Sequence, residues 1–114
     1  MGQALDNLYP TGYTPSCASI RTTEIYRDWI NALKDRAARA RIQVRVDRLT
    51  HGNPGQHRNL SEGISELKVD VGPGYRVYYT QRGEELIILL VGGDKSSQQR
   101  DISLAQELAR NLQE

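Results

Sequence analysis

Lys68, Arg76, Tyr78 and Lys95 are the residues of this sequence best suited to handling a phosphate. Lys68 lies in Leu67-Lys68-Val69-Asp70-Val71, and Arg76 and Tyr78 in Tyr75-Arg76-Val77-Tyr78-Tyr79. Both runs alternate apolar and polar residues, the pattern of half-buried strands. Lys95 closes a third, wholly apolar run, Leu86 to Val91, through Gly92-Gly93-Asp94-Lys95. Arg58 stands in the loop feeding the first run. Ammonium and guanidinium groups neutralise phosphate oxygens and stabilise negative charge growing on phosphorus. A phenol can stack on a base or move a proton. The competing reading of Arg76 is an ordinary cross-strand ion pair with Asp70.

Other chemistries find little support. The sequence holds no phosphate-cradling G-x-x-x-x-G-K-[ST] motif and no zinc-type Cys/His spacing, so neither cofactor nor metal is expected. His51 and His57 are six residues apart, with no Cys between them. The single cysteine, Cys17, has no histidine near it in sequence and forbids an intrachain disulfide.

The elements that must position these groups follow from spacing. Gly72-Pro73-Gly74, taken as a three-residue hairpin loop, sets Val71 opposite Tyr75, Val69 opposite Val77 and Leu67 opposite Tyr79. Asp70 then faces Arg76, and Lys68 faces Tyr78, on the other side. With the run from Leu86 to Val91 this makes a three-strand meander, and Ser19-Ile20-Arg21 adds a short edge strand. The meander's last strand is apolar at every position, which predicts cover on both faces. A helix is expected from Thr23 to Lys34, with Ile25, Trp29 and Leu33 at helical spacing, and a second from Arg36 to Thr50. His51-Gly52-Asn53-Pro54-Gly55 stops the second. Gly52 to Gly63 reads as a loop, and Asp101 to Leu112 as a closing helix. Residues 1–18 show no period and read as an irregular extension before one domain, residues 19–114.

The chain has 114 residues, a formal net charge of +1 and 25% charged residues, ordinary for one globular domain. Charge is nevertheless unevenly placed. Between Lys34 and Arg48 six cations face only Asp35 and Asp47, and Arg41, Arg45 and Arg48 share a helix face. No apolar run reaches the ~18 residues of a membrane span. No positive-then-apolar segment opens the chain, so no signal peptide is expected and a cytoplasmic location is.

The pattern G-x-x-E-L-K-x-x-x-G-x-G-Y-R-V-Y-Y, an apolar strand, then G-G-D-K-x-x-Q-x-x-D-I-x-x-A, resembles the RelE/ParE toxin superfamily. More closely it resembles the phage Gp49-like, HigB-type addiction-module killer proteins. The Trp29 helix, the Arg41/Arg45 helix and Gly52-Asn53-x-Gly55 followed by Arg58 fit the same branch, over residues from about Ser19 to about Leu112. The resemblance implies an α+β, RelE-like fold: an N-terminal helical hairpin packed on a twisted, mainly antiparallel sheet, with a C-terminal helix. It implies the toxin of a type II toxin–antitoxin module, neutralised by a helix-turn-helix antitoxin encoded beside it. Relatives of the RelE and HigB kind are mRNA interferases, metal-independent endoribonucleases that cut mRNA on the ribosome and so inhibit translation.

By the same resemblance Lys68, Arg76 and Lys95 correspond to or stand near basic catalytic positions, and Tyr78 and Arg100 are the candidate substitutes for a C-terminal tyrosine that has no match here. Arg41, Arg45, Arg48, Arg58 and Arg100 are the expected RNA and ribosome contacts. Glu66 stands where RelE has a second lysine. Two alternatives remain on sequence grounds: a non-enzymatic, ParE-like gyrase inhibitor, and a degenerate toxin that only binds its antitoxin.

Overall fold

The computed structural model describes residues 17–112. The extension expected over residues 1–18 therefore lies outside the described residues, except for Cys17 and Ala18. Ala18 already belongs to the body of the protein: it is buried, and its N–H donates to the Thr50 carbonyl at 2.7 Å.

The described residues form an α+β unit with three α-helices and one five-stranded mixed sheet. In chain order these are β1 (Ser19–Thr22), α1 (Glu24–Ala32), α2 (Arg36–Thr50), β2 (His57–Asn59), β3 (Ile64–Val69), β4 (Tyr75–Arg82), β5 (Leu86–Asp94) and α3 (Gln98–Asn111). The sheet order is β1-β5-β4-β3-β2, with β1 parallel to β5 and every other pair antiparallel. A fifth strand, β2, thus corrects the expected four. It forms within the stretch read as a loop, where His57, Arg58 and Asn59 pair with Leu67, Glu66 and Ser65.

Helix starts follow from their caps. Thr23 is extended (φ −76°, ψ 162°), and its Oγ1 accepts from the Tyr26 N–H at 3.0 Å. The same hydroxyl donates to the Leu90 carbonyl at 2.6 Å, joining the start of α1 to β5. Thr23→Ala removes both bonds, and its expected cost is about 1–2 kcal/mol, measurable by urea unfolding. A loss under a few tenths would refute this coupling of cap and sheet. Asp35 caps α2 through Oδ1, 3.1 Å from the Ala38 N–H. The helix stops where Gly52 adopts φ +84°, a conformation open mainly to glycine.

Both faces of the sheet are covered. Leu67, Val69, Tyr75, Val77, Tyr79, Ile87 and Leu89 pack against Tyr26 and Ile30 of α1 and Ala38, Ile42 and Leu49 of α2. On the other face Ile64, Tyr78, Ile88, Leu90 and Val91 pack against Ala105 and Ala109 of α3. A bulge makes the second layer. Tyr78 pairs with Val91 but Tyr79 pairs with Leu89, so Leu90 is an extra residue, and it points with Val91 toward α3. Beyond the bulge Gly92 faces Trp29 and Gly93 faces Asp101.

The hairpin between β3 and β4 departs from the expected register. Its strands close at Val69↔Tyr75, so the loop runs from Asp70 to Gly74, with Gly72 at φ +56° and Gly74 at φ +84°. The Val71 N–H donates to the Val69 carbonyl and the Gly74 N–H to the Val71 carbonyl, which tightens the loop below the strands. Every pair slides by two residues. Arg76 therefore faces Lys68, not Asp70, and Tyr78 faces Glu66, not Lys68. A slide of two keeps each side chain on its own face, so the expected core residues Leu67, Val69, Tyr75, Val77 and Tyr79 remain in the core.

Candidate functional site

α3 covers only part of the second face. Where its first turn meets β3 and β4, a cleft of about 380 Å³ stays open, lined by Gln56, His57, Arg58, Glu66, Lys68, Arg76 and Gln98. Strand alternation brings Glu66, Lys68 and Arg76 to this face. β2 adds Arg58 directly opposite Glu66. The Lys68 ammonium enters no ion pair among the described residues.

Glu66 is the centre of the cleft. Its side chain is only 4% exposed, yet it carries the carboxylate that meets three donors. Arg58 Nε donates to Oε1 at 2.7 Å, and the Tyr78 hydroxyl and Gln98 Nε2 donate to Oε2 at 3.0 and 2.9 Å. Arg76 Nε stands 3.6 Å from Oε2, at ion-pair but not hydrogen-bond distance. Burial acts to raise the Glu66 carboxyl. The hydrogen bonds from Arg58, Gln98 and Tyr78, with the charge of Arg58, outweigh it and hold the group below the ordinary carboxylate range.

Arg76 is buried, and its Nη1 donates to the Gly74 carbonyl at 3.0 Å. A Cβ at Gly74 would lie 3.5 Å from Arg76 Nη1 and 3.9 Å from Lys95 Cβ, so the hairpin loop, Arg76 and Lys95 converge. Lys95 itself is exposed, in the short turn between β5 and α3. Asp94 beside it is held below the usual carboxylate range by hydrogen bonds from the Ser96 hydroxyl and N–H. His57 Nδ1 lies 2.9 Å from the Gly55 carbonyl. A carbonyl can only accept, so Nδ1 donates in this contact.

The other expected contacts are placed unevenly. Tyr78 is fully enclosed under α3 and not on an open polar face, because the closing helix covers its half of the sheet. Burial, then the bond to Glu66, raises its phenol above the ordinary value. Arg45 is a structural tie: Nη1 donates to the Lys68 carbonyl at 2.7 Å, and Nη2 to the carbonyls of Pro54 and Gln56 at 2.9 and 3.0 Å. Gly55 lets the loop approach, since a Cβ there would stand 3.0 Å from Arg45 Nη2. Arg41 and Arg48 are exposed on α2, Arg58 is 56% exposed at the cleft, and Arg100 is exposed on the first turn of α3. Glu66 and Gln98 escape motif reasoning. The available signal was a glutamate sharing strand parity with Lys68, Arg76 and Tyr78.

A family model described as "Phage derived protein Gp49-like (DUF891)" matches residues 28–110. The chain belongs to this family. The Gp49-like proteins are a RelE-like toxin family, and membership is consistent with the toxin half of a toxin–antitoxin pair. The matched span contains all three lines of the cleft: the loop before β3, the β3–β4 hairpin and the start of α3. The chain is also similar to an uncharacterized protein of Haemophilus influenzae, 45% identical over 93 residues, which cover 82% of this chain and 94% of that protein. No described helix is long and apolar enough to cross a membrane.

Proposed function

We propose that this Gp49-like protein is the toxin of a type II toxin–antitoxin module and acts as a ribosome-dependent, metal-independent mRNA endonuclease. The observation that carries the reading is the convergence of Arg58, Lys68 and Arg76 on one cleft, with Lys95 at its rim beside Arg76. In the reaction the 2′-oxygen of the RNA attacks the adjacent phosphorus, the bond to the 5′-oxygen breaks, and that oxygen leaves with a proton. Lys68 and Arg76 hold the scissile phosphate and neutralise the charge gained at phosphorus. Lys95 reaches the same phosphate from the rim. The 2′-hydroxyl proton passes to water, and the leaving 5′-oxygen takes one from water or a lysine ammonium. Glu66 and Tyr78 act through Arg58 and Arg76, by fixing where their charges point. Arg41, Arg48 and Arg100 extend the positive surface toward RNA. The partner is a helix-turn-helix antitoxin encoded beside the toxin.

Induction of the protein, with growth followed and mRNA ends mapped on ribosomes, tests this. Wild type stops growth and leaves new mRNA ends. Arg76→Ala and Lys68→Ala each lower cleavage by about a hundredfold, the usual effect of removing one charge-stabilising donor. Lys68→Ala guards against misfolding, because its ammonium supports no other side chain. Growth arrest with intact mRNA, or full cleavage by Lys68→Ala, overturns the endonuclease reading. DNA damage with continuing translation points to gyrase instead.

A further inference from the structure

The cleft has a neighbour across the edge of the sheet. A second groove, about 480 Å³, runs between α2 and the end of β3, walled by Arg41, Val44 and Arg48 on one side and Gln56, Val69 and Asp70 on the other. Gln56, at the sheet edge, lines both cavities. Arg45 fastens this edge, because its guanidinium binds the carbonyls of both Lys68 and Gln56.

The groove has the chemistry of a nucleotide site. Arg41 and Arg48 are exposed and enter no ion pair among the described residues. Uncompensated like charge gathers here: burial, and then the charge of Arg48, lowers the Arg45 guanidinium below its usual value. Val44, between the two arginines on the same helix face, is 48% exposed, a large apolar side chain left open to water. Arg41 and Arg48 stand seven residues apart, about 10 Å along the axis, which leaves room for a sugar or base against Val44. Asp70, an exposed carboxylate at the end of β3, marks where a phosphate track must stop.

We infer that this groove holds the flanking nucleotides of the same RNA strand whose phosphate lies in the cleft, with Arg41 and Arg48 on phosphates and Val44 against a base or ribose. The inference rests on the reading of the cleft as an RNA phosphate site. It makes the footprint longer than the bond that is cut, and it gives the basic helix a defined ligand, a single strand entering past Gln56.

Fluorescence anisotropy with 2′-O-methyl RNA, which cannot be cleaved, tests it on the free protein. A trinucleotide is compared with an octanucleotide of mixed sequence. Wild type binds the octanucleotide about tenfold tighter or more at low salt. In the Arg41→Ala/Arg48→Ala variant that gain disappears, and the salt slope for the octanucleotide falls by about 1.4, or roughly 0.7 for each phosphate contact on a single strand. Its trinucleotide affinity falls much less than its octanucleotide affinity. Lys68→Ala weakens both probes. Asp70→Asn tightens the octanucleotide alone. If the octanucleotide gains nothing over a trinucleotide that does bind, or the double variant weakens both probes alike, the groove is not a strand site. If neither probe binds the free protein at low salt, this inference fails, while mRNA cleavage on ribosomes still decides the reading of the cleft.

Discussion

Glu66→Ala is expected to destabilise the protein by about 3–5 kcal/mol, the cost of breaking a buried charge network by removing one partner. The variant leaves the Tyr78 hydroxyl and Gln98 Nε2 without their acceptor and the buried Arg76 without its nearest carboxylate. The exposed Arg58 can turn to water, so it adds little to the loss. Glu66→Gln keeps the volume and one acceptor oxygen but aims an amide N–H at one of the donors, so it falls between wild type and alanine. Denaturant unfolding at constant m-value gives the comparison. A loss under about 1 kcal/mol for Glu66→Ala would show that the network adds nothing beyond solvation.

The same carboxylate sets a pH dependence. Its folded pKa lies below the ordinary value, so ionised Glu66 favours the fold at all pH values above its unfolded pKa of about 4.3. That stabilisation is lost as pH falls through the lower, folded pKa. Wild type therefore loses stability on acidification through this range more steeply than Glu66→Gln does. Equal slopes for the two proteins would contradict the assignment.

Gly92→Ala is the second large effect, at about 3 kcal/mol or more, the upper range for overpacking a core. A Cβ at Gly92 would lie 2.1 Å from Trp29 Cε3 and 2.3 Å from Cζ3. The indole cannot step aside easily. Its ring meets Tyr26 at a centroid distance of 5.7 Å and Tyr75 at 6.2 Å, in tilted and edge-on contacts that fix its place. Because Trp29 is the only tryptophan, its fluorescence reports the displacement directly. Gly83→Ala is the control: φ there is +61°, but the space around its Cβ is open, so its cost is backbone strain of about 1 kcal/mol. Trp29→Leu in the Gly92→Ala background recovers part of the loss, and the coupling measured in that cycle is the test. Additive losses would mean that the clash is relieved elsewhere.

Local patterning carries much of this protein. Helical spacing and the stop at His51 to Gly55 placed α2 at Arg36–Thr50. Alternation put Leu67, Val69, Tyr75, Val77 and Tyr79 on a common core face, and an unbroken apolar run announced that β5 would be covered twice. Strand β2 was invisible for a local reason: all three of its residues are exposed, so no apolar period marks it. It exists because β3 offers an edge on which to pair. The start of α3 was also hidden, since Gln98, Gln99 and Arg100 form a polar first turn whose register is set by Gln98 reaching Glu66.

The candidate site divides along the same line. Lys68 and Arg76 are legible in the sequence because strand parity is a property of the local chain, and a register slide of two residues preserves it. Their partners are not, because partners depend on where the hairpin closes. The five-residue loop from Asp70 to Gly74 places Arg76 beside Lys68 and within reach of Glu66, and leaves Asp70 facing the groove under α2. Tyr78 and Arg45 were chosen by residue type, by face and by resemblance, none of which shows burial: one lies under α3, and the other is bonded to three backbone carbonyls. The sequence by itself determined the faces, the helices and the family. Tertiary structure decided the register and the cover, and so which cations remain open to a ligand, because only packing across the sheet selects among pairings with the same parity.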